Sequence, residues 1–150
     1  MTRCALDPIH AAAANGDGSA EPCSIPQCHE MDLALCADLE RLADGLPALC
    51  SNGSLRKICE RLLAASARWS EPLGNAFAEP VEIATACRII DSIHAEDVVD
   101  TLWDYWRQAD PAKAEQLAYM LRALFDGRRR AIAIERLALG CSACQSSEID

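Results

Sequence analysis

The chain has 150 residues and 16.2 kDa, the size of one domain that buries roughly 70% of the surface its unfolded form exposes. Fourteen Lys+Arg against 23 Asp+Glu leave a net charge of −9, which argues against binding a nucleic-acid backbone, since that is driven by counterion release onto a basic surface. The sequence has no run of about eighteen apolar residues, so it predicts no transmembrane helix and no membrane partner.

Met1–Glu21 carries no apolar h-region of the secretory kind, since Ala11–Ala14 is too short and too weakly apolar. A cytoplasmic location is therefore expected, and thiols there are kept reduced. Nine cysteines then do not imply a disulfide framework. Residues 1–27 read as a flexible arm.

From His29 onward the pattern is helical. Leu33, Cys36, Leu39, Ala43 and Leu46 step by three or four and share one face. Gly45-Leu46-Pro47 predicts the end of that helix. The second helix is expected to begin with Ser54 as its N-cap, to show Leu55, Cys59, Leu62, Leu63 and Ser66 to the core, and to end or bend at Pro72. Two prolines and Gly74 mark Glu71–Pro80 as a connection. A third helix over 81–108 carries the stripe Ile83, Cys87, Ile90, His94, Val98, Thr101, Tyr105. Asp110-Pro111 restarts the chain as N-cap and first-turn proline. The fourth helix shows Leu117, Met120, Leu121, Leu124, Arg128, Ala131 and Glu135 inward, and Gly140 is the predicted cap. No stretch alternates with period two, so the fold class is all-α: an up-down-up-down four-helix bundle over 28–140, with 141–150 as a tail.

His29–Pro47 (HEMDLALCADLERLADGLP) resembles the first helix of bacterial hemerythrin-like domains. His94-Ala95-Glu96-Asp97 is similar to the His motif of that family's third helix, and Tyr119–Phe125 with Arg129–Glu135 to its fourth. The likeness spans about 29–139. It implies a bundle whose core holds a non-haem di-iron centre of histidines and bridging carboxylates, used to bind dioxygen or to sense oxygen, iron or redox state. Imidazole and carboxylate suit iron, and inward bundle positions can surround a metal pair.

On this resemblance His29 and His94 correspond to the first- and third-helix ligands, and Glu71 to the second-helix carboxylate. Ala67 and Ala131 stand where histidines are expected, and Val99 where a third-helix carboxylate is, with Asp97 and Asp100 out of register. The expectation is a depleted iron site. His29 and His94 are then either structural or, with Glu71, a mononuclear metal site.

Cys23 and Cys28 precede the first helix, and Cys141-Ser142-Ala143-Cys144 follows the fourth. An up-down-up-down bundle brings those ends to one pole. Three readings stand there: exposed thiols, a tetrahedral thiolate site for zinc, or a redox pair. Cys36, Cys59 and Cys87 fall on predicted inner faces and read as small core hydrophobes. Trp103, Tyr105 and Trp106 cannot all face inward. Arg128 lies near the inner stripe, where Glu71 or Glu135 is a conceivable partner. No phosphate loop, Ser/His/Asp arrangement or His-Glu-x-x-His occurs.

The expected function is a non-enzymatic sensor or interaction protein. The alternative is a metal- or thiol-based redox or oxygen-sensing protein using His29, His94 and Glu71 or the terminal cysteine pairs. A protein partner or a homodimer is the partner class left open.

Overall fold

The computed structural model describes residues 24–48, 51–73, 79–108 and 110–146, with the side chains of 79–80 and 141–146 outside that description. Four helices follow in order: α1 (Ile25–Gly45), α2 (Asn52–Trp69), α3 (Glu79–Gln108) and α4 (Ala114–Ser146), the last entered through a short 3-10 turn, Pro111–Lys113. None is long and apolar enough, over the described residues, to cross a membrane.

Local chemistry sets most of the helix ends. Ser24 caps α1 by accepting from the Gln27 N–H, and the Gln27 side-chain oxygen accepts in turn from the Ser24 N–H. That reciprocal pair satisfies two amides that the first turn would otherwise leave bare. The helix stops at Gly45, as its Gly-Leu-Pro ending predicts. Asp110 caps the restart by accepting from the Ala112 N–H at 3.0 Å, with Pro111 in the first turn.

Three helix ends differ from the sequence expectation. The N-cap of α2 is Ser51, whose hydroxyl accepts from the Ser54 N–H at 3.3 Å, so Ser54 lies inside the first turn. Gly140 does not cap α4: the helix passes through it to Ser146 and takes in Cys141 and Cys144. At the other end α1 begins at Ile25, inside the span read as an arm.

Side-chain pairs fix the topology. Trp69 at the end of α2 meets Asp32 near the start of α1, so these two helices run antiparallel. Arg122 early in α4 meets Asp44 late in α1, while Glu135 late in α4 meets His29 early in α1. Tyr105, late in α3, donates to the Pro47 carbonyl just beyond α1. This is an up-down-up-down bundle in which each helix packs on its sequence neighbours and α4 closes on α1.

The interior has three levels. The largest is apolar and draws on all four helices, with Leu39, Leu55, Leu62, Val98, Leu102, Leu117, Leu121 and Leu124 fully or almost fully buried. A small apolar cap of Leu73, Val81, Ala84 and Ala138 closes the opposite end. Between them lies a slab of buried charge.

The inner face of α4 is the one expected, with Met120 half-buried at its margin. The α2 face also holds, except that Leu63 is 39% exposed. The first half of the α3 stripe is corrected. Ile83 and Ile90 face solvent, and the buried positions are Val81, Ala84, Asp91, Ser92, Ala95, Val98, Val99, Leu102 and Tyr105. Helix α3 carries two apolar faces, and periodicity alone does not say which one meets a neighbour. Tyr105 is the inward member of the aromatic trio, with Trp103 and Trp106 half-buried against the core.

A buried charge cluster as the candidate functional site

Helix periodicity brings one charged group or more from each helix to the slab. His29 and Asp32 are one turn apart on α1, and Arg68 and Trp69 end α2. Arg88 and Asp91 are one turn apart on α3, and Arg128 and Glu135 two turns apart on α4.

Arg128 is the hub, with no solvent exposure. Its Nη2 donates to Glu135 Oε1 at 2.5 Å and its Nη1 to Asp91 Oδ2 at 3.1 Å. Its guanidinium carbon sits 4.9 Å from the centroid of the Trp69 ring, a cation–π contact in a dry setting. The other oxygen of Glu135 bonds His29 Nε2 at 2.6 Å, and Arg88 Nη1 reaches both Glu135 oxygens at 3.3–3.4 Å. Asp32 accepts from Trp69 Nε1 at 2.9 Å and from Arg68 Nη2 at 2.8 Å. Arg88 Nη2 also donates to the Arg68 carbonyl, which ties α3 to the end of α2. Next to the cluster the Ser66 hydroxyl donates to the Ser92 carbonyl at 3.0 Å.

Three carboxylates therefore face three guanidiniums and one imidazole. Burial pushes Glu135 up, but Arg128, His29 and Arg88 outweigh it and hold the carboxyl below its usual range. Asp91 goes the other way: burial raises it, and Arg128 only partly offsets that. Burial alone would lower Arg128, yet Glu135, Asp32 and Asp91 keep it raised. Not every donor is used. The Nε–H groups of Arg68, Arg88 and Arg128 are buried without a hydrogen-bond acceptor among the described residues. Arg128 Nε lies 3.6 Å from Asp32 Oδ2, close enough for charge attraction but beyond a hydrogen bond.

The residues do not fit a di-iron group. Glu135 and Asp91 are both held by a guanidinium that keeps its charge at any physiological pH. A cation entering there would have to displace Arg128 from both. Among the described residues no three His, Cys, Asp or Glu side chains come together in a way that could hold a metal ion.

The sequence-derived candidates separate accordingly. His29 is buried and bonds Glu135. Glu71 lies past the end of α2 and is exposed. His94 is half-buried on α3, near enough to Asp91 to lower its pKa slightly. The structure thus joins neither Glu71 nor His94 to His29. The Arg128–Glu135 pairing is present; a pairing of Arg128 with Glu71 is not.

For the terminal cysteines, the His29–Glu135 bond places the start of α1 and the end of α4 at one pole. Cys23 and the thiols of Cys141 and Cys144 lie outside the described residues, and Cys28 is half-buried on α1. Cys36 and Cys59 are buried in the apolar core as expected, whereas Cys87 is only half-buried. Burial pushes the Cys36 thiol up to about 11, which leaves it protonated and unreactive.

Sequence reasoning missed Asp32, Arg68, Trp69, Arg88 and Asp91 as members of the site. A signal existed for two of them. Asp32 is three residues from both His29 and Leu35, and Asp91 is four before Ala95 and seven before Val98. Both therefore sit on buried stripes. No family model, no curated protein and no solved structure matches the chain at a significant level.

Proposed function

We propose that this chain is a divergent hemerythrin-like bundle in which an arginine-centred ion cluster takes the place of the iron pair, and that it acts as a non-enzymatic sensor or interaction protein. One observation carries the reading: the fully buried Arg128 guanidinium bridges Glu135 and Asp91 at the level of His29. The cluster supplies the positive charge that a metal would otherwise bring to buried carboxylates, and it ties four helices together without redox chemistry.

Anaerobic titration with iron(II), read by metal content and absorption, tests this. The expected result is no stoichiometric binding by the wild-type chain. Iron near two per chain, with oxo-bridge bands in the near-ultraviolet, would overturn the proposal.

A further inference from the structure

Helix α3 shows solvent an apolar face of its own. Ile83, Ile90 and Ile93 are 50%, 64% and 59% exposed and repeat with Ala86 at three- and four-residue steps, with Ile89 beside them. Scattered exposed aliphatics need no explanation, but four isoleucines on one helix face form a contiguous patch, which marks an interaction surface. Acidic residues flank it: Glu82 at one end, and Glu96, Asp97 and Asp100 at the other, all exposed.

A second unpartnered feature has the opposite charge. The seam between α1 and α2 is the most sparsely packed of the four adjacent helix pairs. It opens into a groove of about 500 Å³ with Leu42, Ile58, Gly45 and Ala48 in its lining. Arg41, Lys57 and Arg61 stand around it against the single carboxylate Asp38, which Arg41 and Arg61 share. A smaller depression continues along the same seam past Leu35 and Ala34.

From this complementarity we infer that the α3 face of one copy seats in the α1–α2 seam of a second copy, joining protomers head to tail. The lengths agree: Ile83 to Ile93 and Leu35 to Gly45 are each ten residue steps apart, about 15 Å of helix. The acids beyond Ile93 then meet the cations of the seam. A helix laid in such a groove, with its flanks, buries on the order of 1,000 Å² in total, the lower edge of a specific interface. Association is therefore concentration-dependent and weakens with salt. The rival contact, α3 against α3 about a two-fold axis, sets Ile83 opposite Ile93 but brings Glu82 towards Glu96 of the other copy, and like charges there oppose it. The side chains substituted below to test it, Arg41, Lys57, Ile90 and Ile93, all lie outside the buried cluster, so it stands or falls separately from the iron titration.

The test is sedimentation of the full chain under reducing conditions across a wide range of concentration and salt. Two variants with exposed substitutions accompany it: Ile90→Glu with Ile93→Glu, and Arg41→Glu with Lys57→Glu. Helical circular dichroism confirms that both fold. The wild type is expected to grow in mass with concentration and to shrink with salt, and each variant to be monomeric. An equimolar mixture of the two variants still holds one intact face of each kind and is expected to stop at a one-to-one dimer. A monomeric wild type would overturn the inference. So would loss of association in only one variant, association that persists in both, or a mixture that stays monomeric.

Discussion

Arg128 and Glu135 sit two turns apart on one face of α4, and the other charges of the cluster are arranged around that pair. Isolated buried ion pairs add little net stability, because desolvation offsets their attraction. Removing one partner is a different matter. Glu135→Gln leaves Arg128 and Arg88 facing a neutral group in a dry site and is expected to cost about 3–5 kcal/mol at neutral pH. Asp91→Asn should cost under about 1 kcal/mol, since burial already raises Asp91 towards its neutral form and Asn still accepts a bond from Arg128.

The pH dependence of these two groups has opposite sign. Glu135 is depressed in the folded state, so its contribution is present above its unfolded value of about 4.3 and is lost as pH falls through the folded one. Asp91 is raised, so its contribution is present below about 3.9 and is lost as pH rises through its folded value. Denaturant unfolding at a series of pH values checks both. The deficit of Glu135→Gln should shrink in acid, while that of Asp91→Asn should not shrink. Arg128 and Glu135 are legible in the sequence because both fall on an otherwise apolar stripe. Asp32 and Asp91 also lie on buried stripes, but these run one position away from Leu33 and Ile90, the residues that the larger apolar side chains pick out as the inner faces.

At the level of single helices the caps are the informative features. Ser51→Ala should cost about 1 kcal/mol by removing the acceptor for the Ser54 amide, while Ser54→Ala should cost a few tenths at most; thermal unfolding separates the two. Ser51 and Ser54 both precede apolar residues at helical spacing, so composition does not choose between them; the register of the first turn does. Gly140 gives a sharper contrast. A capping glycine resists substitution, but here the helix continues through it and an added Cβ meets nothing within 4 Å. Gly140→Ala is therefore expected to stabilise by about 0.5–1 kcal/mol. A loss of stability would mean that α4 ends there after all. The cap reading failed because a glycine near the end of an apolar pattern looks the same whether the helix stops or goes on.

Across the whole molecule one apolar cluster joins all four helices and reaches Trp69, which also packs on Arg128. Loss of tertiary packing and loss of helix should then coincide. Leu62 is fully buried in that cluster, and Leu62→Ala is expected to cost about 2–5 kcal/mol. Circular dichroism and tryptophan fluorescence should shift together by the same amount, as for a two-state domain. Separate transitions would show that the charged slab divides the bundle into independent halves.

The number and order of the helices, and the inner face of α4, were set by the sequence alone, because caps, prolines and a 3.6-residue period act within a few residues of one another. Which of the two apolar faces of α3 is buried was decided by tertiary structure, as was the meeting of His29, Asp32, Arg88, Asp91, Arg128 and Glu135. Burial and charge pairing are relations between helices. A stripe of isoleucines carries no mark of whether a neighbour will cover it, and a carboxylate carries none of which guanidinium will reach it.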